Sequence, residues 1–199
     1  MVTRIKMCGM TRRADAEYAL GLGVHALGMV REPSSPRYVD TVPDWWVALA
    51  PYVVRVAVYG PFHGESRHDA FDRFQAVEWP VHPAHRFKSI AVRRLGPGST
   101  VEEALSGLHE ESALLLDALS STGYGGTGRT VDWGLAAEIR AASRLPVILA
   151  GGLTPGNVGD AVRAVRPYAV DVASGIEESP GVKDRSLMLA FVEAVRDAV

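Results

Sequence analysis

Val147–Ile148–Leu149–Ala150–Gly151–Gly152–Leu153 is followed, after one helix-length of chain, by Ala169–Val170–Asp171–Val172–Ala173–Ser174–Gly175–Ile176–Glu177. Each run is a short apolar stretch that closes on glycine. A β-rich apolar run of this length reads as a strand buried on both faces of a parallel sheet. Glycine at its end lets a ligand come close to the backbone. Two such strand ends, late in a chain, suit the phosphate-gripping end of a (β/α)8 barrel. They point to an enzyme that acts on a phosphorylated small molecule.

Outward from these runs, strand and helix signals alternate. Strands are expected over 4–8, 26–30, 53–59, 76–79, 87–92, 113–116, 147–150 and 169–173, and helices over 12–22, 43–49, 66–74, 100–108, 133–142, 157–165 and 186–199. The first helix shows Ala16, Ala19 and Leu20 at helical spacing, with Thr11 ahead of it and Gly23 behind. Eight strands, each normally followed by a helix, make one α/β TIM barrel spanning 1–199 as a single domain. One unit is defective. Residues 80–85 carry two prolines and leave no room for an ordinary helix. The fourth helix is therefore expected to be missing or reduced to a turn.

Composition narrows the class. The 199 residues suffice for a large core, and 47% hydrophobic with 22% charged residues is ordinary globular usage. A formal charge of −2 gives no electrostatic footprint for nucleic acid. Charges at Arg12, Arg13 and Asp15 break any early apolar segment, and no run approaches membrane-helix length. Cys8 is the single cysteine, so an internal disulfide is ruled out and a cytoplasmic location is expected.

In such a barrel the C-terminal strand ends carry the chemistry. Cys8 ends the first strand, Asp117 the sixth, and Asp171 lies in the eighth, with Ser174 and Gly175 just beyond. Arg37 stands in the loop after the second strand, and Gly125, Gly126 and Gly128 in the loop after the sixth. A thiol and a carboxyl group on opposite sides of one mouth provide a base and an acid, which suits an isomerase. The apolar approach Leu114–Leu115–Leu116 favours a raised pKa at Asp117. Each residue also has a plain structural reading: Cys8 as a small buried hydrophobe, Asp117 as a helix cap, Arg37 as a solvated charge, and Asp171 as a brace for loop amides. His82 and His85, three apart in a proline-rich turn, are not read as a zinc site. Trp45, Trp46 and Trp79 read as packing or surface residues, since no basic residues accompany them.

Several segments together resemble the phosphoribosylanthranilate isomerase family: Lys6–Met7–Cys8–Gly9–Met10–Thr11, Ser35–Pro36–Arg37–Tyr38, Leu115–Leu116–Asp117, Tyr124–Gly125–Gly126–Thr127–Gly128, Asp132–Trp133, Leu149 to Val158, Val165–Arg166–Pro167, and Val170 through Asp184. The resemblance implies an Amadori rearrangement in tryptophan biosynthesis. It places Cys8 on the general base, Asp117 on the general acid, and Arg37 on the group that holds the anthranilate carboxylate. It places backbone amides around Gly126, Gly128, Gly151, Gly152, Ser174 and Gly175 on the phosphate, while Asp171 is read equally as a substrate contact and as the structural brace above. It implies no metal or organic cofactor, a small phosphosugar as the partner, neither nucleic acid nor membrane, and a monomer or homodimer.

The middle of the chain departs from that pattern. Val77–Glu78–Trp79–Pro80 stands where Gln-Leu-His-Gly is expected, and Arg31 where an apolar or aromatic residue is usual. Two other readings remain open. One is a lyase or aldolase that uses Lys88 of the fifth strand as an inward-facing Schiff-base lysine. The other is a degenerate or altered-specificity barrel that binds a phosphosugar without turning it over.

Overall fold

The computed structural model describes residues 2–62, 68–77, 88–108, 111–119 and 130–198. Eight strands follow in chain order: β1 (Arg4–Met7), β2 (Ala26–Val30), β3 (Val54–Val58), β4 (Arg73–Ala76), β5 (Ser89–Leu95), β6 (Ala113–Ala118), β7 (Val147–Leu149) and β8 (Ala169–Val172). Each pairs in parallel with the next, and β8 pairs with β1 to close the barrel. A two-stranded antiparallel hairpin, β9 (Glu177–Ser179) and β10 (Val182–Lys183), follows β8. The helices are α1 (Arg13–Gly21), α2 (Asp44–Val47), α3 (Val101–Leu105), α4 (Trp133–Ala142), α5 (Val158–Val165) and α6 (Arg185–Arg196).

Successive side chains on a strand point to opposite faces. The apolar residues of the wall divide accordingly into two separate clusters. Leu114, Leu116, Leu149, Val170 and Val172 join the helices in the outer cluster, whereas Val56, Ile90, Val92, Leu115, Ile148 and Ala169 form the inner one. The same alternation assigns the polar residues. On β1, Ile5 and Met7 belong to the outer cluster, so Lys6 and the following Cys8 face inward. On β8, Val170 and Val172 are outer and Asp171 is inner; on β4, Phe74 and Ala76 are outer and Gln75 is inner; on β6, Asp117 follows Ala113 and Leu115 inward. A period of two thus delivers every candidate side chain of the wall to one lumen.

Side chains cap the longer helices. Asp132 accepts from the amides of Gly134 and Leu135 at the start of α4, and Asp184 accepts from those of Ser186 and Leu187 at the start of α6. Thr100 and Glu103 form a reciprocal capping box on α3. The hairpin is tied to the barrel through Asp15 of α1, which accepts from the Lys183 amide at 3.1 Å and from Arg12 Nε at 2.8 Å.

The first three strands and the last three lie where the sequence places them, within a residue or two. The middle differs. Strand four is Arg73–Ala76 rather than 76–79, and strand five is Ser89–Leu95 rather than 87–92. The helix expected over 66–74 is only a 3-10 turn at His68–Ala70, with Phe74 inside β4. Backbone pairing decides this segment: Asp72 N donates to Arg55 O at 2.8 Å, Asp72 Oδ2 accepts from Arg55 N at 2.9 Å, and Phe74 is then sealed against Phe62 and Phe71. Strand six runs to Ala118 rather than to 116, so Asp117 lies within β6. The missing fourth helix, Trp79, His82 and His85 all fall outside the described residues.

Trp46 anchors the short α2. It is fully buried, and its indole N–H donates to Ala70 O at 3.1 Å across to the 3-10 turn. Replacing Trp46 by alanine removes both the packing and that bond, for an expected loss of about 3–5 kcal/mol. Urea unfolding should show a lower midpoint with an unchanged slope.

Candidate active site

One cavity opens at the C-terminal ends of the strands, and its lining includes Cys8, Arg37, Gln75, Asp117, Gly151 and Asp171. Cys8 follows β1 directly, and its amide donates to Val172 O at 2.8 Å, extending the β1–β8 ladder by one rung. The neighbouring strand β2 leaves it room by a glycine: a Cβ on Gly28 would lie 2.7 Å from Cys8 Sγ. Burial pushes the Cys8 thiol above the ordinary cysteine value, and the Asp171 charge adds to this. The Lys6 and Lys183 ammonium groups pull the other way without reversing the sign.

Lys6 lies one rung below Cys8 on the same face of β1. Its Nζ donates to Asp171 Oδ2 at 2.7 Å, and both side chains are almost wholly buried. Burial alone would lower the Lys6 pKa; Asp171 and Cys8 outweigh it and leave the ammonium raised. Asp117 stands on β6. Burial raises its carboxyl above the usual aspartate value, Asp171 contributes in the same direction, and the bond that Oδ1 accepts from Ala118 N at 2.8 Å opposes. Gly151 leaves room for this carboxyl. It adopts φ +83, and a Cβ there would meet Ala118 N at 2.6 Å and Asp117 Oδ1 at 3.1 Å.

Arg37 is buried by Glu177 rather than solvated. Its Nε donates to Glu177 Oε1 at 2.9 Å and its Nη2 to Oε2 at 2.6 Å, so one edge of the guanidinium is fully engaged. Lys183 Nζ holds Glu177 from the other side at 2.8 Å and also donates to Cys8 O at 2.5 Å and Ala173 O at 3.1 Å. Burial would raise the Glu177 carboxyl, but the Arg37 hydrogen bonds and the Lys183 charge outweigh it and keep it below the glutamate range. The loop after β2, the hairpin and the backbone of the thiol residue are joined by this one chain of charges.

The phosphate candidates Gly151, Gly152 and Ser174 line the same cavity, and Gly175 follows Ser174 in a 3-10 turn. The two loops touch so closely that a Cβ on Gly175 would lie 1.9 Å from Leu153 O, a contact only glycine permits. Asn157 braces the first loop: its Nδ2 donates to Gly152 O at 2.9 Å and its Oδ1 accepts from Thr154 N at 2.8 Å. Gly126 and Gly128 lie outside the described residues.

Some outcomes revise the sequence reading. Gln75 is an inward residue of β4 whose Oε1 is buried without a hydrogen-bond partner among the described residues. The shifted strand thus brings a glutamine to the cavity two residues ahead of the expected motif, and a lone glutamine in a sequence gives no signal of that. Arg31 is not among the described residues that line the cavity. Its Nη1 donates to Val39 O and to Asp40 O, closing the loop that carries Arg37. Lys88 precedes β5 and is exposed, so it supplies no inward amine for a Schiff base. The buried lysines are Lys6 and Lys183. Glu177 and Lys183, quoted in sequence only as part of a motif, prove to be the partners that set Arg37.

A family model for N-(5'-phosphoribosyl)anthranilate (PRA) isomerase matches residues 62–194. The N-(5'-phosphoribosyl)anthranilate isomerase of Myxococcus xanthus (strain DK1622) is 39% identical over 98% of this chain and 97% of its own. The crystal structure of phosphoribosyl anthranilate isomerase from Thermotoga maritima superposes with a TM-score of 0.82 at 33% identity, covering 99% of this chain and 100% of that one. A crystal structure of a phosphoribosyl anthranilate isomerase in complex with reduced 1-(o-carboxyphenylamino)-1-deoxyribulose 5-phosphate gives a TM-score of 0.78 at 30% identity, covering 98% of this chain and 100% of that one. With the thiol, the carboxyl group and the twin glycine strand ends gathered at one barrel mouth, this chain belongs to the phosphoribosylanthranilate isomerase family.

Proposed function

We propose that this chain converts N-(5'-phosphoribosyl)anthranilate to 1-(2-carboxyphenylamino)-1-deoxyribulose 5-phosphate in tryptophan biosynthesis, with Cys8 as general base and Asp117 as general acid. The observation that carries the assignment is the pairing at one cavity of a buried thiol and a buried carboxyl group, both raised in pKa, between Arg37 and the glycine loops. Asp117 gives its proton to the furanose oxygen, and the C1'–O bond opens to a protonated Schiff base. Cys8, as thiolate, takes the proton from C2', and the electron pair moves to the C1'–C2' bond to form the enolamine. A proton gained at C1' and one lost from the 2'-hydroxyl give the ketose.

Arg37 takes the anthranilate carboxylate. Because Glu177 already holds the Nε–Nη2 edge, the carboxylate meets the remaining Nη1–Nη2 end of the fork. The amides around Gly151, Gly152, Ser174 and Gly175 take the phosphate, together with Gly126 and Gly128. Asp171 faces the sugar. One chain supplies each of these groups, so the reading requires no second subunit. Among the described residues no helix is long and apolar enough to cross a membrane.

Purified protein should consume phosphoribosylanthranilate, followed by the decay of its fluorescence, and should rescue a tryptophan auxotroph that lacks the isomerase. Cys8→Ser and Asp117→Asn should each lower kcat by about 100- to 10,000-fold, the usual worth of a positioned proton-transfer group, with substrate binding still measurable. Full turnover in both would refute the assignment.

The raised pKa values also fix the pH profile. The thiol titrates above the carboxyl, so the productive thiolate–carboxylic acid form carries as many protons as the predominant thiol–carboxylate form. Its share is constant between the two titrations. The kcat/KM of the free enzyme should therefore be bell-shaped, falling in acid as Asp117 gains its proton and in alkali as Cys8 loses its own. A profile with a single ionisation contradicts the pair. Arg37→Lys provides one point charge where a fork serves two carboxylates, so KM should rise about tenfold or more while kcat changes less.

A further inference from the structure

Asp171 is only half used by the protein. Its Oδ2 accepts from Lys6 Nζ at 2.7 Å, while its Oδ1 is buried with no hydrogen-bond partner among the described residues. A carboxylate oxygen removed from water and left without a donor is costly, and folded proteins rarely tolerate one without a role. This oxygen belongs to a residue that lines the mouth cavity together with Cys8. The two stand on neighbouring strands: Asp171 pairs in register with Lys6, and the next rung joins Cys8 N to Val172 O. A ligand atom at the thiol is therefore beside the carboxylate as well.

The substrate must bring the missing donor. Its phosphate and its carboxylate only accept, so the donors are the anilino N–H and the sugar hydroxyls. Under the assignment of Cys8 as base, the carbon presented to Sγ is C2', which carries one hydrogen and one hydroxyl. We infer that Asp171 Oδ1 accepts the hydrogen bond of this 2'-hydroxyl, so that the hydrogen on the same carbon is turned toward Cys8, with Lys6 as the positioning residue that fixes the carboxylate. The inference rests on the acid–base reading above and adds a stereochemical demand to it. Thiol and carboxylate each take one substituent of C2', so the pair selects the ribo configuration. The arabino epimer exchanges the two substituents and offers its hydroxyl to the sulfur.

The test uses the folded wild-type enzyme and a non-reacting probe, reduced 1-(o-carboxyphenylamino)-1-deoxyribulose 5-phosphate, beside its 2-deoxy, 3-deoxy and 2-epimeric counterparts. Loss or inversion of the 2-hydroxyl should weaken binding about tenfold or more, as expected for a hydrogen bond to a charged group, and loss of the 3-hydroxyl should weaken it less. In the paired variant Lys6→Met with Asp171→Leu, which strands neither charge, the probe and its 2-deoxy form should bind alike. Lys6→Met alone should reduce the discrimination at C2 while inhibition by inorganic phosphate stays unchanged, which a general loss of structure would not produce. Equal binding of the probe and its 2-deoxy form by wild type overturns the proposal, as does discrimination that persists in the paired variant or that follows the 3-hydroxyl. Should Cys8→Ser and Asp117→Asn be inactive while wild type ignores the 2-hydroxyl, the acid–base reading stands and only the contact to Asp171 falls. Should those variants stay active while the 2-hydroxyl is still read, the contact stands without the thiol.

Discussion

The ion pair of Lys6 and Asp171 sits at the seam where the eighth strand returns to the first. Taking two charges out of water is expensive, and a 2.7 Å contact offsets this only in part, so such a pair is poor evidence of stability for its own sake. An apolar pair of similar volume would seal the seam at least as well. What the charges provide here is a field. The ammonium stands one rung below the thiol and favours its thiolate, and the carboxylate raises both the thiol and the Asp117 carboxyl opposite. The seam of the barrel and the proton chemistry at its mouth share the same two side chains.

A second chain of charges governs geometry rather than protonation. Lys183 is fully enclosed and satisfied by two carbonyls and Glu177, and Glu177 in turn grips Arg37. The guanidinium is therefore fixed before any ligand arrives. Pre-organisation of this kind removes the ordering of a long, rotamer-rich side chain from the cost of binding. It also explains why the hairpin after β8, which adds nothing to the barrel wall, is tied down through Asp15 and through the bond from Thr11 Oγ1 to Gly181 O at 2.5 Å.

The sequence made the catalytic half legible because its signals are local. A glycine after a buried strand marks Gly151 and Gly175 without reference to distant residues, and the approach Leu114–Leu115–Leu116 announces a desolvated Asp117. The unread features depend on distant partners. Glu177 meets Arg37 across 140 positions, and nothing in either neighbourhood announces it. Strand four lies three residues earlier than its local pattern suggests because what starts it, the pairing of Asp72 with Arg55, is a tertiary fact. That displacement hid Gln75, which has no motif of its own. Arg31 departs from the family pattern without an evident reason in its immediate neighbours, since its loop-closing carbonyl partners are eight and nine positions away.

The helices do not encircle the barrel evenly. α1, α4, α5 and α6 run for 9, 10, 8 and 12 residues, whereas α2 and α3 have 4 and 5 and the turn before β4 has 3. Local opening costs least where few apolar contacts cover the backbone. Among the described residues, amide protection is therefore expected to be lowest around α2, the 3-10 turn and α3, and highest around α1, α4, α5 and α6. Gly151, Gly152, Ser174 and Cys8, the residues proposed to hold the phosphate and to act as base, lie at strand ends backed by the longer helices. On the proposed assignment the other end of the ligand meets Val58 and Gln75 at the strand ends backed by the shorter elements, where accommodation of differently shaped rings need not loosen the anchor.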